Sequence, residues 1–265
     1  MLGMIKSEIY KLFNKKSFYV CALILMVLVG VSVWGYKEFL ASQYRISSDF
    51  LNLKEMGFTG WDGIKIGVGN VLIINSIFTS IFVSYEFSSG MNKNLAIRGK
   101  NRFVMYFSKM IVSMLIPILY TLLSAVTSYA IASRLWNTGN WDQKCIDSII
   151  IPMGFFVLVQ MAFQSVFVMV GYLSKGSGWA TAINFALSSA ILTSLVIEGV
   201  DHILNSWFGM KAYVGKYWIG EYSFVYNYEY PSTGEVAKIF LWVVSSYFVI
   251  PAIIGSFVFW KREIK

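Results

Sequence analysis

A polar and basic segment, residues 86–109, contains the residue pattern with the clearest chemical meaning. Within it, Ser88 or Ser89 is placed to cap the start of a short helix, and Gly99 stands where helices often end. Three apolar side chains recur every four residues and form a ridge: Phe87, Met91 and Leu95. Four cations accompany them: Lys93, Arg98, Lys100 and Arg102. A helix with an apolar ridge and basic flanks is suited to docking in a groove on a partner protein.

Motifs for catalysis or cofactor binding are missing from the sequence. It has no Gly-x-x-x-x-Gly-Lys-Ser/Thr phosphate loop, so we expect the chain not to hydrolyse ATP itself. One histidine cannot build a bis-His haem site or a paired metal site, and we expect Asp201 and His202 to form a solvated loop pair. Cys21 and Cys145 are expected at different depths and therefore unpaired. The sequence predicts a protein that is no enzyme and has no cofactor of its own.

The elements that must position the basic segment are long hydrophobic blocks. The chain is 57% hydrophobic and 14% charged, whereas a soluble domain carries about 25% charged residues. A helix needs about 20 apolar residues to cross the hydrocarbon core. Six uncharged blocks reach that length: 18–36, 66–85, 110–133, 149–174, 176–197 and 239–260. The sequence predicts an all-α polytopic membrane protein with six transmembrane helices. We expect the first block to remain as an anchor, because it is too long for a cleaved signal peptide.

The alternative to six spans is five spans and one re-entrant segment. Block 66–85 has the weakest span pattern, because it contains Gly67, Gly69 and several polar residues. Glu86 follows it directly, and we expect this carboxylate to anchor the span end or to form a salt bridge with the basic segment. The alternative role for Glu86, relaying protons, has less support because the spans themselves lack ionisable groups.

The distribution of charge predicts the orientation. With the N-terminus in the cytoplasm, 13 of the 22 Lys and Arg residues lie inside, but only 3 of the 14 acidic residues do. This positive-inside pattern predicts a cell membrane with an anionic inner leaflet and both termini in the cytoplasm. The basic residues form no single folded face, which argues against a nucleic-acid partner.

The first 16 residues are amphipathic. Their apolar side chains share one stripe at helical spacing: Leu2, Ile5, Ile9, Leu12 and Phe13. Ser7, Lys11 and Lys15 lie opposite, so we expect an interfacial helix whose lysines face anionic membrane lipid. The alternative is a simple basic flank, but such a flank would not need an apolar stripe.

The segment 198–238, between the last two blocks, is rich in aromatic residues. Tyr222, Phe224, Tyr226, Tyr228 and Tyr230 alternate at a period of two, which favours an extended stretch with its rings on one side. One interpretation is an aromatic belt at the membrane surface. The other is a lid that closes the outer end of a pathway; the two are compatible.

A longer motif in the basic segment resembles a known family. Glu86-Phe87-x-x-Gly90-x-x-Lys93-Asn94-Leu95, followed by Gly99-x-x-Arg102-x-x-x-Tyr106-x-x-Lys109, is similar to the first cytoplasmic loop of type-2 ABC transporter permeases. The layout resembles the short six-span permeases of lantibiotic immunity, bacitracin export and phenol-soluble-modulin export. Met91 departs from the motif, where the family usually has Thr.

The resemblance implies a permease that forms a dimer, with a second copy or a sister permease, and binds cytoplasmic ATPase subunits that hold ATP and Mg. Residues 1–16 would be the elbow helix. The ATPase would couple through the following residues of the segment 86–109: Glu86, Phe87, Gly90, Met91, Lys93, Asn94, Leu95, Arg98, Gly99 and Arg102. The extracellular gate would include Trp207, Phe208, Tyr217, Trp218, Tyr222 and Phe224.

In this family the second and fifth spans face each other across the dimer pathway. Polar side chains share one helix face on each of them: Asn75 and Thr79, and Thr181, Asn184 and Ser188. These residues either line an uncharged pathway for amphipathic cargo or form hydrogen bonds between packed helices. For Gln160 and Gln164 on the fourth span we expect helix packing.

The expected function is export of amphipathic or hydrophobic peptides such as toxins, bacteriocins or antimicrobial peptides. The first alternative is export of lipids or small hydrophobic drugs. The second is a scaffold or sensor that transports nothing and docks a cytoplasmic partner. An ion-coupled carrier has less support, because such carriers place ionisable groups at mid-membrane.

Overall fold

The computed structural model describes residues 1–44, 58–91, 101–139, 146–174, 176–208, 217–223 and 234–261. Throughout these ranges the regular structure is helical. The first five helices are α1 (Leu2–Asn14), α2 (Lys16–Tyr44), α3 (Gly60–Val68), α4 (Val71–Ser88) and α5 (Arg102–Ser113). The next are α6 (Leu115–Leu135), α7 (Ile151–Leu173), α8 (Ser177–Ser188), α9 (Ala190–Phe208) and α10 (Gly234–Lys261). A π-helical turn, Ile146–Ile150, leads into α7.

Four continuous stretches in the described residues are long and apolar enough to cross a membrane: Lys16–Leu40, Arg102–Leu135, Ile151–Leu173 and Ala237–Lys261. The third sequence block, 110–133, therefore lies within a longer continuous helical stretch that α5 and α6 form together. Together with the pair α3 and α4, which is described next, they confirm the prediction of an all-α polytopic membrane protein.

Helices α3 and α4 form a bent pair with an angle of 42°, which is either one broken span or a re-entrant loop. The break lies in the Gly-rich start of block 66–85, where the sequence has its weakest span pattern. The Asn70 side chain at the break donates a hydrogen bond of 3.0 Å to the Ser32 hydroxyl on α2. The bend therefore has a polar anchor on a neighbouring helix.

The fifth hydrophobic block, 176–197, is not one helix. It is divided at Ser189 into α8, which has 12 residues, and the start of α9. Residue Ser189 has an extended backbone, with φ −82° and ψ 140°. Within the described residues, four continuous stretches and one bent pair could therefore cross a membrane, and the count of six crossings remains a prediction.

Close packing between α3 and α6 depends on small residues. A Cβ atom at Gly63 would collide with the Ala132 side chain, and one at Gly67 would collide with Ser128. Without these side chains the two backbones approach closely, as is common between membrane helices. This contact holds the short α3 against the long stretch that α5 and α6 form together.

Candidate functional site

Four charged side chains meet at the end of α4 that leads into the basic segment. Lys11 Nζ on α1 lies 2.5 Å from Glu8 Oε1 and 2.9 Å from Glu86 Oε1. Lys109 Nζ on α5 lies 2.7 Å from Glu8 Oε2 and 2.8 Å from Glu86 Oε1. Lys109, Glu8 and Glu86 are buried, and only Lys11 is partly exposed. We call these four residues the charge cluster.

The charge cluster is electrically neutral and ties three elements together. Two ammonium groups alternate with two carboxylates, so each buried charge has a partner of opposite sign. Lys109 Nζ also lies 3.8 Å from the centroid of the Phe82 ring. These contacts confirm that Glu86 anchors the span end and forms a salt bridge with the basic segment, through Lys109.

One expectation about α1 is wrong. Lys11 does not face membrane lipid, because its ammonium group turns inward to Glu8 and Glu86. Attraction to the two carboxylates outweighs burial. The pKa of Lys11, which desolvation alone would lower, is therefore raised by Glu86 and Glu8. Sequence reasoning missed Glu8 as a partner; the signal was that Glu8 is one of only three acidic residues assigned to the inner side.

The start of the basic segment also differs from the prediction. Ser88 does not open a new helix, because α4 continues to it and Ser89 closes α4 by donating its N–H to the Tyr85 carbonyl at 3.0 Å. Gly90 then has a φ of +67°, a left-handed conformation that glycine adopts readily. The chain therefore changes direction between Phe87 and Met91, and these two residues do not share one helical ridge.

Phe87 belongs to the packed interior of the chain. Its ring centroid lies 5.4 Å from Tyr172 on α7 and 6.2 Å from Phe259 on α10, both in edge-to-face arrangements. At the far end of the segment, Asn101 caps α5 and the Arg102 guanidinium donates to the Trp260 carbonyl at 2.7 Å. Both ends of the segment are thus fastened to the helical bundle. Lys93, Asn94, Leu95, Arg98 and Gly99 lie outside the described residues.

The polar residues expected on the second and fifth spans form a network between α4, α7 and α8. Asn75 donates to Gln160 at 3.3 Å, and Gln164 donates to Thr79 at 2.8 Å. These contacts confirm helix packing for the two glutamines. For Asn75 and Thr79, the contacts agree with the packing alternative, because both side chains are fully buried inside one chain.

The α8 part of the network makes similar contacts. Asn184 donates to the Ser80 hydroxyl at 2.8 Å and to the Phe167 carbonyl at 3.1 Å, and Ser188 donates to the Ser76 hydroxyl at 3.1 Å. The Thr181 hydroxyl instead bonds the Ser177 carbonyl of its own helix. Asn184 Oδ1 and Gln164 Oε1 have no hydrogen-bond partner among the described residues. The site therefore retains unused acceptors between α7 and α8.

The aromatic residues expected at the outer gate fall into two groups. Trp207 is 80% exposed at the end of α9. Tyr217, Trp218 and Tyr222 pack on α10, with ring centroids 6.4 Å from Trp242, 6.3 Å from Tyr247 and 5.3 Å from Phe240, respectively. These three residues cover the start of α10, while Trp207 extends from α9. Phe208 is the last residue of α9, and Phe224 lies outside the described residues.

Two expectations about this region are wrong. Tyr222 lies in a helical turn, with its N–H donating to the Ile219 carbonyl at 3.1 Å, and not in an extended stretch; the rest of that predicted stretch, Phe224, Tyr226, Tyr228 and Tyr230, lies outside the described residues. Asp201 and His202 lie on α9, which continues through the predicted start of the outer segment, and not in a loop. Helical periodicity from the apolar positions of 190–208 outweighs the charges there.

The sequence profile of a family described as "ABC-2 family transporter protein" matches residues 4–191 of the 265-residue chain. The matched region runs from α1 through the charge cluster and the polar network to the start of α9. No curated protein matches the chain. Since the profile covers more than half of the sequence, the chain belongs to the ABC-2 transporter family, as a multi-pass transmembrane subunit of an ABC transporter.

Proposed function

We propose that this chain is the permease of an ATP-driven exporter in a bacterial plasma membrane, with both termini in the cytoplasm. It forms a dimer with a second copy or a sister permease, and a cytoplasmic ATPase that binds ATP and Mg docks on the segment 86–109. The cargo is an amphipathic or hydrophobic peptide. Permeases of the ABC-2 family in general work with a separate ATPase subunit, and this supports the proposed ATPase partner.

The observation that carries this proposal is the connection between the two ends of the segment. Glu86 at the end of α4 and Lys109 on α5 are joined by a buried ion pair of 2.8 Å. Arg102 adds a hydrogen bond to the end of α10. A force applied by the ATPase between these anchors would therefore reach α4, α5 and α10 together, and these three helices would move as one body relative to α8.

The direction of motion follows from the differential affinity of the ATPase. If its ATP-bound form binds one arrangement of the segment more tightly, ATP binding shifts the permease toward that arrangement. An arrangement that separates α8 from α4 would expose Asn75, Asn184 and Ser188 to the cargo. Such an opening would reconcile the packed polar network with a pathway lined by uncharged polar groups.

The cargo class rests on the chemistry of the spans. A pathway of hydroxyl and amide groups suits a molecule with both apolar and polar faces, because neither ion coupling nor a fixed countercharge is available inside the blocks. Trp207, Phe208, Tyr217, Trp218, Tyr222 and Phe224 would form the outer gate.

The test is co-expression of the full chain with candidate ATPase subunits, followed by co-purification and ATPase assays. We expect Met91→Glu and Leu95→Glu to release the ATPase or to uncouple its activity, because each places a charge in the docking groove. Met91→Leu retains the apolar contact and serves as the conservative control. Lys6→Glu introduces an acidic group at an exposed site on α1 and controls for surface charge.

Failure of any ATPase to bind, or equal activity of the acidic variants and both controls, would favour the scaffold or sensor. If the ATPase couples but peptides do not stimulate it while lipids or small drugs do, the cargo assignment is wrong and the permease assignment stands.

A further inference from the structure

A cavity of about 180 Å³ lies between α1 and the end of α4. Three cations and one acid contribute to its lining: Lys11, Lys15, Lys109 and Glu86. The rings of Phe82 and Tyr85 border it, and of these two Tyr85 is exposed whereas Phe82 is fully buried. The cavity thus combines cationic groups with an aromatic surface, at the point where the interfacial helix meets the first span.

The charges around the cavity do not balance. Lys11 and Lys109 are matched by the two carboxylates of the charge cluster. Lys15 is the additional cation, and no carboxylate in the described parts of the chain lies within 4.0 Å of its ammonium group. Glu86 and Glu8 act on Lys15 only from beyond ion-pair distance, so an anion in direct contact would stabilise this half-buried ammonium group.

The groups in close contact with Lys15 are uncharged. Its Nζ lies 3.5 Å from the carbonyl oxygens of Ile81 and Phe82, and 4.1 Å from the centroid of the Tyr85 ring. Burial, followed by repulsion from Lys109, lowers the pKa of Lys15 to about 8. An anion in the cavity would offset both effects, because it supplies a countercharge at short range.

The position of the cavity favours a lipid over a soluble ion. Lys15 directly precedes Lys16, the first residue of the span α2, and residues at that boundary lie at the depth of phospholipid headgroups. The Tyr85 ring would contact the apolar part of a lipid, whereas a free anion makes no use of it.

We propose that this cavity binds the phosphate group of an anionic phospholipid, with the Lys15 ammonium group as counter-ion and the half-exposed Tyr85 ring against the apolar part of the lipid. Met91 also lines the cavity, so the bound lipid touches the residue that follows Gly90 in the segment 86–109. Met91 thus belongs to both proposed sites, but the two proposals can fail separately, because lipid retention is measured on the permease without any ATPase.

The test uses the full chain in nanodiscs of phosphatidylcholine that contain graded amounts of phosphatidylglycerol, with lipid retention read by native mass spectrometry. We expect one phosphatidylglycerol molecule to be retained per chain. Lys15→Gln should reduce that retention at least about tenfold, as for loss of a charge-assisted hydrogen bond, and Lys15→Arg should restore it. Lys16→Gln removes a neighbouring exposed cation and should reduce retention by no more than about fivefold, the size of a diffuse surface effect.

Three outcomes would overturn the proposal. The first is equal retention in Lys15→Gln and Lys16→Gln, which would reduce the effect to surface charge. The second is equal retention of phosphatidylglycerol and phosphatidylcholine. The third is that inorganic phosphate, added to pure phosphatidylcholine nanodiscs, raises the melting temperature as much as phosphatidylglycerol does; the site would then take a soluble anion. The restored retention in Lys15→Arg ensures that a loss in Lys15→Gln does not merely report misfolding.

Discussion

The carboxylate of Glu86 and the ammonium group of Lys109 lie 2.8 Å apart, and the Lys109 side chain is only 1% exposed. The two residues stand 23 positions apart, one at each end of the basic segment. This ion pair joins the end of α4 to α5 and so connects the two ends of the basic segment. Glu86 also contacts Lys11, and Lys109 also contacts Glu8, so the ion pairs join the interfacial helix α1 to α4 and α5 as well.

Replacing Lys109 should destabilise the protein strongly. Lys109→Met leaves the Glu8 and Glu86 carboxylates facing each other with Lys11 as their remaining cation. Removing one partner of a buried charge pair costs about 3–5 kcal/mol. The measurement is the unfolding transition in detergent, compared with Lys16→Met, an exposed site where a change within about 0.5 kcal/mol is expected.

The double variant Glu86→Gln/Lys109→Met should be less destabilised than the sum of its two single variants, because each single change leaves the other buried charge with one counter-ion instead of two. If the losses in unfolding free energy of the two single variants simply add, the two side chains act independently. That result would contradict the proposed connection through their ion pair.

Stability should depend on pH through Lys15. Its pKa is lowered from 10.5 to about 8 in the folded protein, by burial first and then by Lys109, with Glu86, Glu8 and Lys11 as the other nearby charges. Between about pH 8 and 10.5 the unfolded chain binds more protons at this group than the folded one. Stability contributed by Lys15 must therefore rise with pH across that window.

The pH experiment compares the wild type with Lys15→Gln in a zwitterionic detergent, which removes the effect of anionic lipid. The difference in melting temperature, wild type minus variant, should increase between pH 8 and 10.5. A difference that stays flat or declines over this range would show that Lys15 is as well solvated as an ordinary lysine.

The polar network should contribute to stability through Asn184. Asn184→Leu removes hydrogen bonds to Ser80 and to the Phe167 carbonyl, and we expect a loss of about 1–2 kcal/mol, the scale of polar contacts between membrane helices. Thr181→Val on the same helix is the control, because the Thr181 hydroxyl bonds only its own helix. A loss as large in Thr181→Val would point to a general effect of changing α8.

Whether the same network opens during transport is a separate matter. In a background without the native cysteines, Ser188→Cys should resist a membrane-impermeant thiol reagent in the resting protein, because Ser188 is buried against α4. In a complex trapped with ATP it should react, if α8 separates from α4 as proposed. Protection in both states would confine these residues to helix packing.

Substitution at the α3–α6 contact should be destabilising in a position-dependent way. Gly67→Ala places a Cβ against Ser128, and overpacking of this kind costs about 1–3 kcal/mol. Gly69→Ala, two residues away, meets nothing closer than the Ile66 carbonyl at 3.7 Å and should leave stability nearly unchanged. Equal melting temperatures for the two variants would mean that α3 shifts to accommodate the added methyl group without a loss of stability.

The sequence by itself determined that this is a helical membrane protein. Long blocks without charge cannot remain in water, and in a bilayer each helix satisfies its own backbone hydrogen bonds, so the class follows from composition along the chain. The motif beginning at Glu86 also indicates the transporter family, because it is a local pattern of residues.

Tertiary structure alone decided which groups face each other. Glu8 and Lys11 lie more than 70 residues from Glu86, and nothing in their spacing shows that α1 crosses the end of α4. Phe87 fits an exposed ridge by its period of four, yet Gly90 turns the chain and neighbouring rings cover part of Phe87. The amide side chains of Asn75 and Asn184 suit a pathway lining and a helix contact equally well, so their residue types do not distinguish the two roles. Periodicity describes one helix at a time, whereas ion pairs, burial and hydrogen-bond partners depend on which helices become neighbours, and only the packed chain determines that.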